Sequence, residues 1–383
     1  MVKYIWELPD WPDFRYDRTL AELHAPLARC RRLQGALLHK IAAAPSRLAQ
    51  KAEGALLSRE ALRTSEIEGV RVPPDSVRSS VARRLGLPTT GLPTPERYAD
   101  GVVDMLLDAT RNHRAPLTEE RILSWHAGLS PLERGGLETV SAGRWRRPEK
   151  DPMQVVSGRS DRPTVHFQAP PAASVPKETT RFFQWFEHGG TGTDGVIRAG
   201  IAHLWFVTIH PFEDGNGRIA RAVTDLALAR DDGSPLRAYS LSNQIQSSKR
   251  EKNGYYDILE ATQKADGGID AWLGWFVGLV ERALKSSSAL LDATLGKAEF
   301  WRKNGQTELN ERQRKVLNRL LDAGPDGFEG GLSNAKYRSM TKASHATAGR
   351  DLADLVGKGL LVPNGAGGRS TRYDLAFPAS RAE

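Results

Sequence analysis

Apolar residues recur along most of this chain at three- and four-residue steps, the spacing of one face of an α-helix. From Arg18 onward Leu20, Leu23, Leu27, Cys30, Leu33, Leu37 and Ile41 keep that rhythm and predict a first long helix. Pro45-Ser46 interrupts it, and a second helix is predicted over 47–68. Gly69 stands where its C-cap should be, with Pro73-Pro74 just beyond. Further helical patterns cover 95–112, 118–128 and 175–187, and one over 196–210 puts Ile197, Ile201, Leu204 and Trp205 on one face. Helices are predicted to resume after Arg218 and run to about 285, with 289–301 as a connecting helix.

Two stretches break the helical rhythm. Gln154-Val155-Val156-Ser157-Gly158, then Asp161-Arg162-Pro163, then Thr164-Val165-His166-Phe167 predicts a short β-hairpin around a turn. From about Glu308 the pattern becomes a helix at 311–321, a glycine-rich break, a short helix near 333–340, and a third helix from the N-cap candidate Ser344 to about Gly359. Strand-like pieces at 360–362 and 371–375 then flank Asn364-Gly365-Ala366-Gly367-Gly368-Arg369. Three helices and a glycine-rich hairpin outline a winged helix-turn-helix. The opening segment, with Trp6, Trp11 and Phe14 among Pro9 and Pro12, reads as an aromatic cap on the helical body.

Composition narrows the class. A chain of 383 residues, 39% hydrophobic and 26% charged, describes a soluble globular protein of two or three domains. The N-terminus lacks the apolar core of a signal peptide, and the longest apolar stretch, around 271–280, falls short of the roughly 18 residues a membrane span needs. One cysteine, Cys30, excludes an internal disulfide and reads as a small core residue on the first helix. A cytoplasmic address with no membrane partner is expected. The net charge of +8 favours polyanionic partners such as nucleic acid, nucleotide phosphates or acidic proteins.

The run from His210 to Arg221, His-Pro-Phe-Glu-Asp-Gly-Asn-Gly-Arg-Ile-Ala-Arg, carries the chemistry. One helix stops at His210-Pro211, two glycines follow at alternate positions, and a new helix is predicted from near Arg218. Glycines ahead of a helix N-terminus let backbone N–H groups face an anion, where the helix dipole also favours negative charge. Asp214 offers a hard oxygen ligand for Mg²⁺, which reaches protein through one or two carboxylates beside substrate phosphates. Asn216 can donate to a phosphoryl oxygen, and Arg218 and Arg221 fall on neighbouring positions of one helix face. His210 is placed to act as a general base. Taken singly, each piece has a plainer reading: a structural histidine, an Asp-Gly-Asn-Gly turn, a solvated pair of arginines.

At every fixed position this run matches the signature of the Fic family, and the chain resembles that family over about 143–276. Gly143-Arg144-Trp145-Arg146, the Val155/Val165 hairpin, Ala169-Pro170-Pro171 and Tyr255-Tyr256 carry the rest of the likeness. The Ile5-Trp6, Trp11-Pro12 and Phe14 pattern resembles the N-terminal extension of a bacterial subgroup that also carries a C-terminal winged helix. The resemblance implies a mainly α fold, a Fic-type helical bundle with a β-hairpin flap plus a C-terminal winged helix-turn-helix. Its expected divisions are an N-terminal cap and inhibitory helix at 1–90, a catalytic domain at 91–285, a linker helix at 286–307 and the winged helix at 308–383.

It also implies an activity, the transfer of AMP from ATP to a Ser, Thr or Tyr hydroxyl of a target protein, including the chain itself. By position His210 is the base, and Asp214 holds Mg²⁺. Asn216 with the amides around Gly215 and Gly217 stabilises charge on the α-phosphoryl group, and Arg218 and Arg221 meet the outer phosphates. Phe212 anchors the loop. Tyr255 and Tyr256 are candidates for the adenine end, against the plainer reading of paired tyrosines as core and rim. The hairpin, through Val155, Val156 and Val165, resembles a flap that aligns a target segment by strand addition.

Thr64-Ser65-Glu66-Ile67-Glu68-Gly69 matches the family's inhibitory motif, making Thr64, Glu68 and Gly69 the autoinhibition residues. Independently, Glu68 falls at a helix C-terminus where the dipole disfavours an anion, so a cationic partner is expected, and the resemblance names Arg221. Some relatives use this glutamate to remove AMP. A homodimer is also implied. In the C-terminal module the helix from Ser344 carries His345, Thr347 and Arg350 away from its apolar side, and Arg369 and Arg372 lie in the hairpin. DNA is the partner such a module can take, with protein as the other; Asp351 and Asp354 dilute the basic surface. Two alternatives are a DNA-binding regulator whose Fic domain senses nucleotide, and a relative transferring another group such as UMP or phosphate, though the intact Gly217-Arg218 argues against phosphate transfer.

Overall fold

A computed structural model describes residues 4–129, 142–159, 162–190, 192–236, 238–322, 331–364 and 371–376. The chain divides into two compact units, Met1–Ala43 with Glu53–Lys285, and Ala44–Ala52 with Ser286–Glu383. The wing loop with Gly365 to Arg369, and Asp161 of the hairpin turn, lie outside the described residues. No helix among the described residues is long and apolar enough to cross a membrane.

The first unit is helical. Its elements are α1 (His24–Ala43), α2 (Ser46–Ile67) from Glu53 onward, α3 (Pro74–Leu85), α4 (Arg97–Arg111), α5 (Glu119–Leu129), α6 (Val175–His188), α7 (Gly195–Ile209), α8 (Asn216–Asp232), the short α9 (Leu241–Ile245), α10 (Lys249–Gln263) and the start of α11 (Asp270–Asn304). Strands β1 (Gln154–Arg159) and β2 (Arg162–Gln168) form an antiparallel hairpin with a bulge between Val155 and Val156. The expected connecting helix at 289–301 is instead part of α11, which continues to Asn304 through Lys285-Ser286-Ser287-Ser288 because neither Pro nor Gly interrupts it there.

The core centres on α7, which is buried on every side: Ile197, Leu204, Phe206 and Ile209 are wholly inaccessible. Asp194 caps it by accepting from the Val196 amide, and α8 is its most extensive partner. The aromatic N-terminal cap packs as its composition suggests. Trp11 and Phe14 meet Trp205 edge-on, and Trp11 Nε1 donates to Glu178 at 2.8 Å. Tyr4 stacks edge-on to Phe167 of β2, so the cap also supports the base of the hairpin.

Helix α3 has no counterpart among the predicted elements: Val77, Val81 and Leu85 recur at four-residue steps and are buried, but Ser76, Ser79 and Ser80 share the buried face and interrupt the apolar pattern. Ser79 donates to the Pro93 carbonyl and Ser80 to Asp100, each at 2.6 Å, while Ser76 accepts from the Glu96 amide at 2.7 Å. Pro74 at its start and Gly86 in the left-handed C-cap position bound it. An apolar stripe of three residues, interleaved with buried serines, is too short to mark a helix clearly.

The second unit contains α12 (Glu311–Asp322), α13 (Asn334–Thr341), α14 (His345–Gly357) and the antiparallel pair β3 (Leu361–Asn364) and β4 (Arg372–Leu375). Ser333 and Ser344 cap α13 and α14 through their side chains. Val316, Leu317, Leu332, Tyr337, Ala348, Leu352 and Leu355 fill the core. Asp351 is not a surface charge: it is 8% exposed and takes Arg312 at 2.9 Å and the Tyr337 hydroxyl at 2.9 Å. Asp354 likewise accepts from Gln313 and Lys358.

Candidate active site

Two helices and the turn between them build the site. Helix α7 ends at Ile209, and His210 forms its C-cap in the left-handed region with φ of 51°. A non-glycine residue held there is strained by roughly 1–3 kcal/mol, so the surroundings must fix it. Arg146 does so. Its buried guanidinium donates to the His210 carbonyl at 2.8 Å and to Asp151 at 2.7 Å, and its own amide donates to the Pro211 carbonyl at 2.9 Å. Phe212 is wholly buried and stacks face to face on His126 with centroids 3.9 Å apart. His126 Nδ1 accepts from the Gly143 amide at 3.0 Å, and its Nε2 lies 3.2 Å from the Asp214 carbonyl. The turn is thus pinned at both ends, by Arg146 and by His126.

Gly215, with φ of 90°, is the N-cap of α8, which begins at Asn216. A side chain at 215 would meet this backbone conformation at a steric disadvantage. The first amides of α8 have no partner within the helix and face the turn, an arrangement suited to an anion. Asn216 itself is buried, and both its side-chain atoms serve the turn: Oδ1 accepts from the Phe212 amide at 2.9 Å and Nδ2 donates to the Phe212 carbonyl at 2.8 Å. Its side chain therefore staples the loop, with one of the two Nδ2 hydrogens engaged by the Phe212 carbonyl.

His210 Nδ1 lies 3.2 Å from the Val207 carbonyl. That partner fixes the tautomer with the proton on Nδ1, leaving Nε2 as an acceptor. Burial pushes the imidazole pKa down to about 4, the Val207 carbonyl offsetting only part of the effect. The ring is thus neutral and able to take a proton at neutral pH.

Arg218 and Arg221 are each 2% exposed. Arg218 donates to Asp214 Oδ2 at 2.6 Å and to the Tyr98 hydroxyl at 2.8 Å. Arg221 donates through Nε to Thr64 Oγ1 at 2.8 Å, and through one Nη to the Thr64 carbonyl at 2.9 Å and to Glu68 Oε1 at 2.7 Å. The structure thus brings together Thr64, Glu68 and Arg221. Glu68 is the C-cap of α2, and its turn closes in a Schellman pattern, with Gly69 N donating to Glu66 O and Val70 N to Ser65 O. Gly69 supplies the positive φ, 74°, that this closure needs. A Cβ at Gly217 would crowd Glu68 Oε1, so a larger residue here would displace the Glu68 carboxylate from its present position.

Asp214 has a side chain 56% exposed. Burial of its surroundings would raise its pKa, but the Arg218 guanidinium and the Gly215 amide outweigh that and hold it below the usual carboxylate range. Among the described residues no cluster of three or more His, Cys, Asp or Glu side chains could hold a metal by protein ligands alone. One ionised, accessible carboxylate fits Mg²⁺, which takes its remaining ligands from phosphate and water. Arg218 Nε and the second Arg221 nitrogen, Nη1, are buried donors with no hydrogen-bond partner, a place for added anionic oxygens.

The tyrosine pair separates into core and rim. Tyr255 is 2% exposed and its hydroxyl meets His203 Nε2 at 2.9 Å, so it has no face left for adenine. Tyr256 is 39% exposed, with its hydroxyl donating to the Ile67 carbonyl at 3.1 Å. On the hairpin, Val155 and Val156 are exposed at 37% and 52%, whereas Val165 is half-buried. Phe167 of β2 lies with its ring centroid 6.4 Å from that of His210. The hairpin is tied to α10 by a chain invisible in the sequence: Ser157 Oγ to His166 Nε2, and His166 Nδ1 to Glu260 Oε2, each 2.6 Å. Tyr98, His126 and Lys252 were equally invisible, lying far from the motif in sequence, whereas Arg146 belonged to a conspicuous Gly-Arg-Trp-Arg run with no role attached.

Comparison with known proteins agrees with this geometry. The Fic/DOC family matches residues 116–228, and a Domain of unknown function (DUF4172) matches residues 4–87. The chain is similar to protein adenylyltransferase fic-1 of Caenorhabditis elegans, 34% identical over 103 residues, which is 27% of this chain and 18% of that protein. Protein adenylyltransferase Fic of Drosophila yakuba is 30% identical over 119 residues, 30% of this chain and 22% of that protein. The chain thus spans about a fifth of the length of these curated relatives. A Fic domain containing signaling protein from Bacteroides thetaiotaomicron shares the fold, with a TM-score of 0.51 at 16% identity over 70% of this chain and 97% of that one. With its complete loop between α7 and α8, this chain carries a domain of the Fic/DOC family.

Proposed function

We propose that the chain is an ATP-dependent protein adenylyltransferase, with Glu68 as its internal restraint. The reading rests above all on one observation: Thr64 and Glu68 occupy Arg221 beside a loop that already holds a neutral His210. In the transfer, His210 Nε2 takes the proton of a target hydroxyl while that oxygen forms a bond to the α-phosphorus of ATP. The bond from the α-phosphorus to the bridging oxygen breaks, and pyrophosphate leaves. Such transfers depend on positioning and charge stabilisation, which the α8 N-terminus and the two buried arginines supply. Mg²⁺ held by Asp214 would neutralise phosphate charge. Asn216 acts by holding the turn, and Gly215 and Gly217 by leaving its amides open.

Glu68 restrains this chemistry because its carboxylate stands where Arg221 would meet an outer phosphate. Two anions cannot share that guanidinium at close range without strong repulsion. ATP therefore binds either misaligned or only after α2 yields. Tyr256 is the remaining adenine candidate at the rim, and Val155 and Val156 offer an exposed apolar strand for a target segment. We assign 1–90 to the cap and inhibitory helix, 91–285 to the catalytic domain and 308–383 to a winged helix. In the last, His345, Arg350 and Arg372 are exposed, and of the two acidic residues of α14 Asp351 is buried on Arg312 while Asp354 stays exposed beside Lys358, which leaves a net basic face for DNA.

The test is label transfer from α-phosphate-labelled ATP to protein, self-modification included. Labelling by Glu68→Gly that His210→Ala removes supports the reading. A DNA-binding regulator without turnover would give no label in any variant while still shifting an operator fragment.

A further inference from the structure

The end of α2 that carries Glu68 should not be stable by itself. A helix C-terminus exposes unsatisfied carbonyls with partial negative charge, and Glu68 adds a full negative charge to it. The Schellman closure engages the carbonyls of Ser65 and Glu66 and leaves that of Ile67. Two side chains of α10 meet it. Lys252 Nζ donates to the Ile67 carbonyl at 2.8 Å and reaches the Glu66 carbonyl at 3.4 Å, and the Tyr256 hydroxyl donates to the same Ile67 carbonyl at 3.1 Å. Lys252 and Tyr256 are four residues apart, hence on one face of α10.

Lys252 gains nothing from its own helix. It lies near the start of α10, where the dipole disfavours a cation. Its charge is instead matched to the carbonyl end of α2, which cations favour. Tyr256 keeps its proton, since burial and the neighbouring Glu68 both push its pKa upward, so it remains a donor. Beyond the same turn lies a cavity of about 750 Å³, lined by Glu66, Gly69, Val70, Val72 and Gln246 among others. Once released, the turn has space to move into.

We propose that Lys252 and Tyr256 are positioning residues that latch the last turn of α2 and so keep Glu68 on Arg221. The proposal rests on the reading of Glu68 as a restraint. Anything that draws Lys252 away, such as an anionic group of a bound target, then loosens the restraint without touching the catalytic loop.

The experiment uses the full chain and two readouts. Hydrogen exchange over residues 62–72 reports the latch directly: Lys252→Met and Tyr256→Phe should each raise it, and Lys252→Arg, which keeps a cationic donor, should stay near wild type. Label transfer reports the coupling: Lys252→Met should label about 3- to 10-fold above wild type, the range expected for loss of one hydrogen bond of ordinary net strength at a half-buried side chain. If Lys252 affects transfer through Glu68, by holding the turn that carries it, Glu68→Gly/Lys252→Met should label no more than Glu68→Gly. Unchanged exchange in Lys252→Met overturns the latch. Faster exchange with no rise in labelling, while Glu68→Gly labels strongly, overturns the coupling, as does a double variant more active than Glu68→Gly. A silent Glu68→Gly refutes the adenylyltransferase reading instead, and exchange then decides the latch alone.

Discussion

His210 is held by three unlike contacts: the Val207 carbonyl at Nδ1, Arg146 at its own carbonyl, and the Phe167 ring nearby. The first sets its tautomer and the second its backbone conformation. Burial keeps the imidazole neutral until the pH approaches about 4. The sign is simple: the base is competent when unprotonated, so a depressed pKa extends competence to lower pH. Labelling by Glu68→Gly should therefore stay level from pH 8 to 6, where an ordinary imidazole would already be half protonated, and decline only toward pH 4. Initial rates across that range check it; a fall centred near 6.5 would mean that His210 is not desolvated. Legibility at this scale was uneven. The residues between His210 and Arg221 announce themselves by type and spacing, but Asn216 showed its job only in three dimensions. A short amide beside two glycines is equally suited to a ligand or to the loop, and here both Phe212 backbone groups claim it.

Elements bring these residues together, and one close crossing matters more than its composition suggests. Helices α4 and α5 touch through Gly101 and Gly128; a Cβ at Gly101 would sit 1.9 Å from the Gly128 carbonyl oxygen. Backbone cannot step aside as a side chain can. Gly101→Ala should lower stability by about 1–3 kcal/mol, and the melting temperature by a few degrees, as overpacking does. Since α5 carries His126, which supports Phe212, the same variant in a Glu68→Gly background should also label less. Thermal melts read the first effect and label transfer the second; an unchanged melt would show that the two helices do not approach so closely.

The hairpin offers a second test at this scale. His166→Ala cuts the chain from Ser157 to Glu260 and should raise hydrogen exchange over 154–168 and the KM for a protein target. The ATP dependence should stay as it was, since His166 belongs to neither ATP-facing helix. The hairpin and most helices were readable from period two and period 3.6 patterns. The short α3 and the unbroken α11 were not, because buried serines interrupt the three-residue apolar stripe of the one, and the other lacks a break.

At the scale of the whole molecule, a helical unit with the His210 loop is joined in sequence to a unit that includes α12, α13, α14 and the β3–β4 pair. The second unit's exposed His345, Arg350 and Arg372 predict salt-dependent DNA binding. Arg350→Ala and Arg372→Ala should weaken it, as read by fluorescence anisotropy at several salt concentrations; affinity unmoved by salt or by either change would point to a protein partner.

The central claim concerns the first unit: a competent His210 loop held back by Glu68 on Arg221. The most direct measurement compares label transfer from α-phosphate-labelled ATP by wild type, Glu68→Gly and Glu68→Gly/His210→Ala. The account predicts weak labelling by wild type, a rise of at least about tenfold when Glu68 is removed, and a loss of about 10²- to 10⁴-fold when His210 follows. Equal labelling by wild type and Glu68→Gly, or labelling that survives the loss of His210, would contradict it.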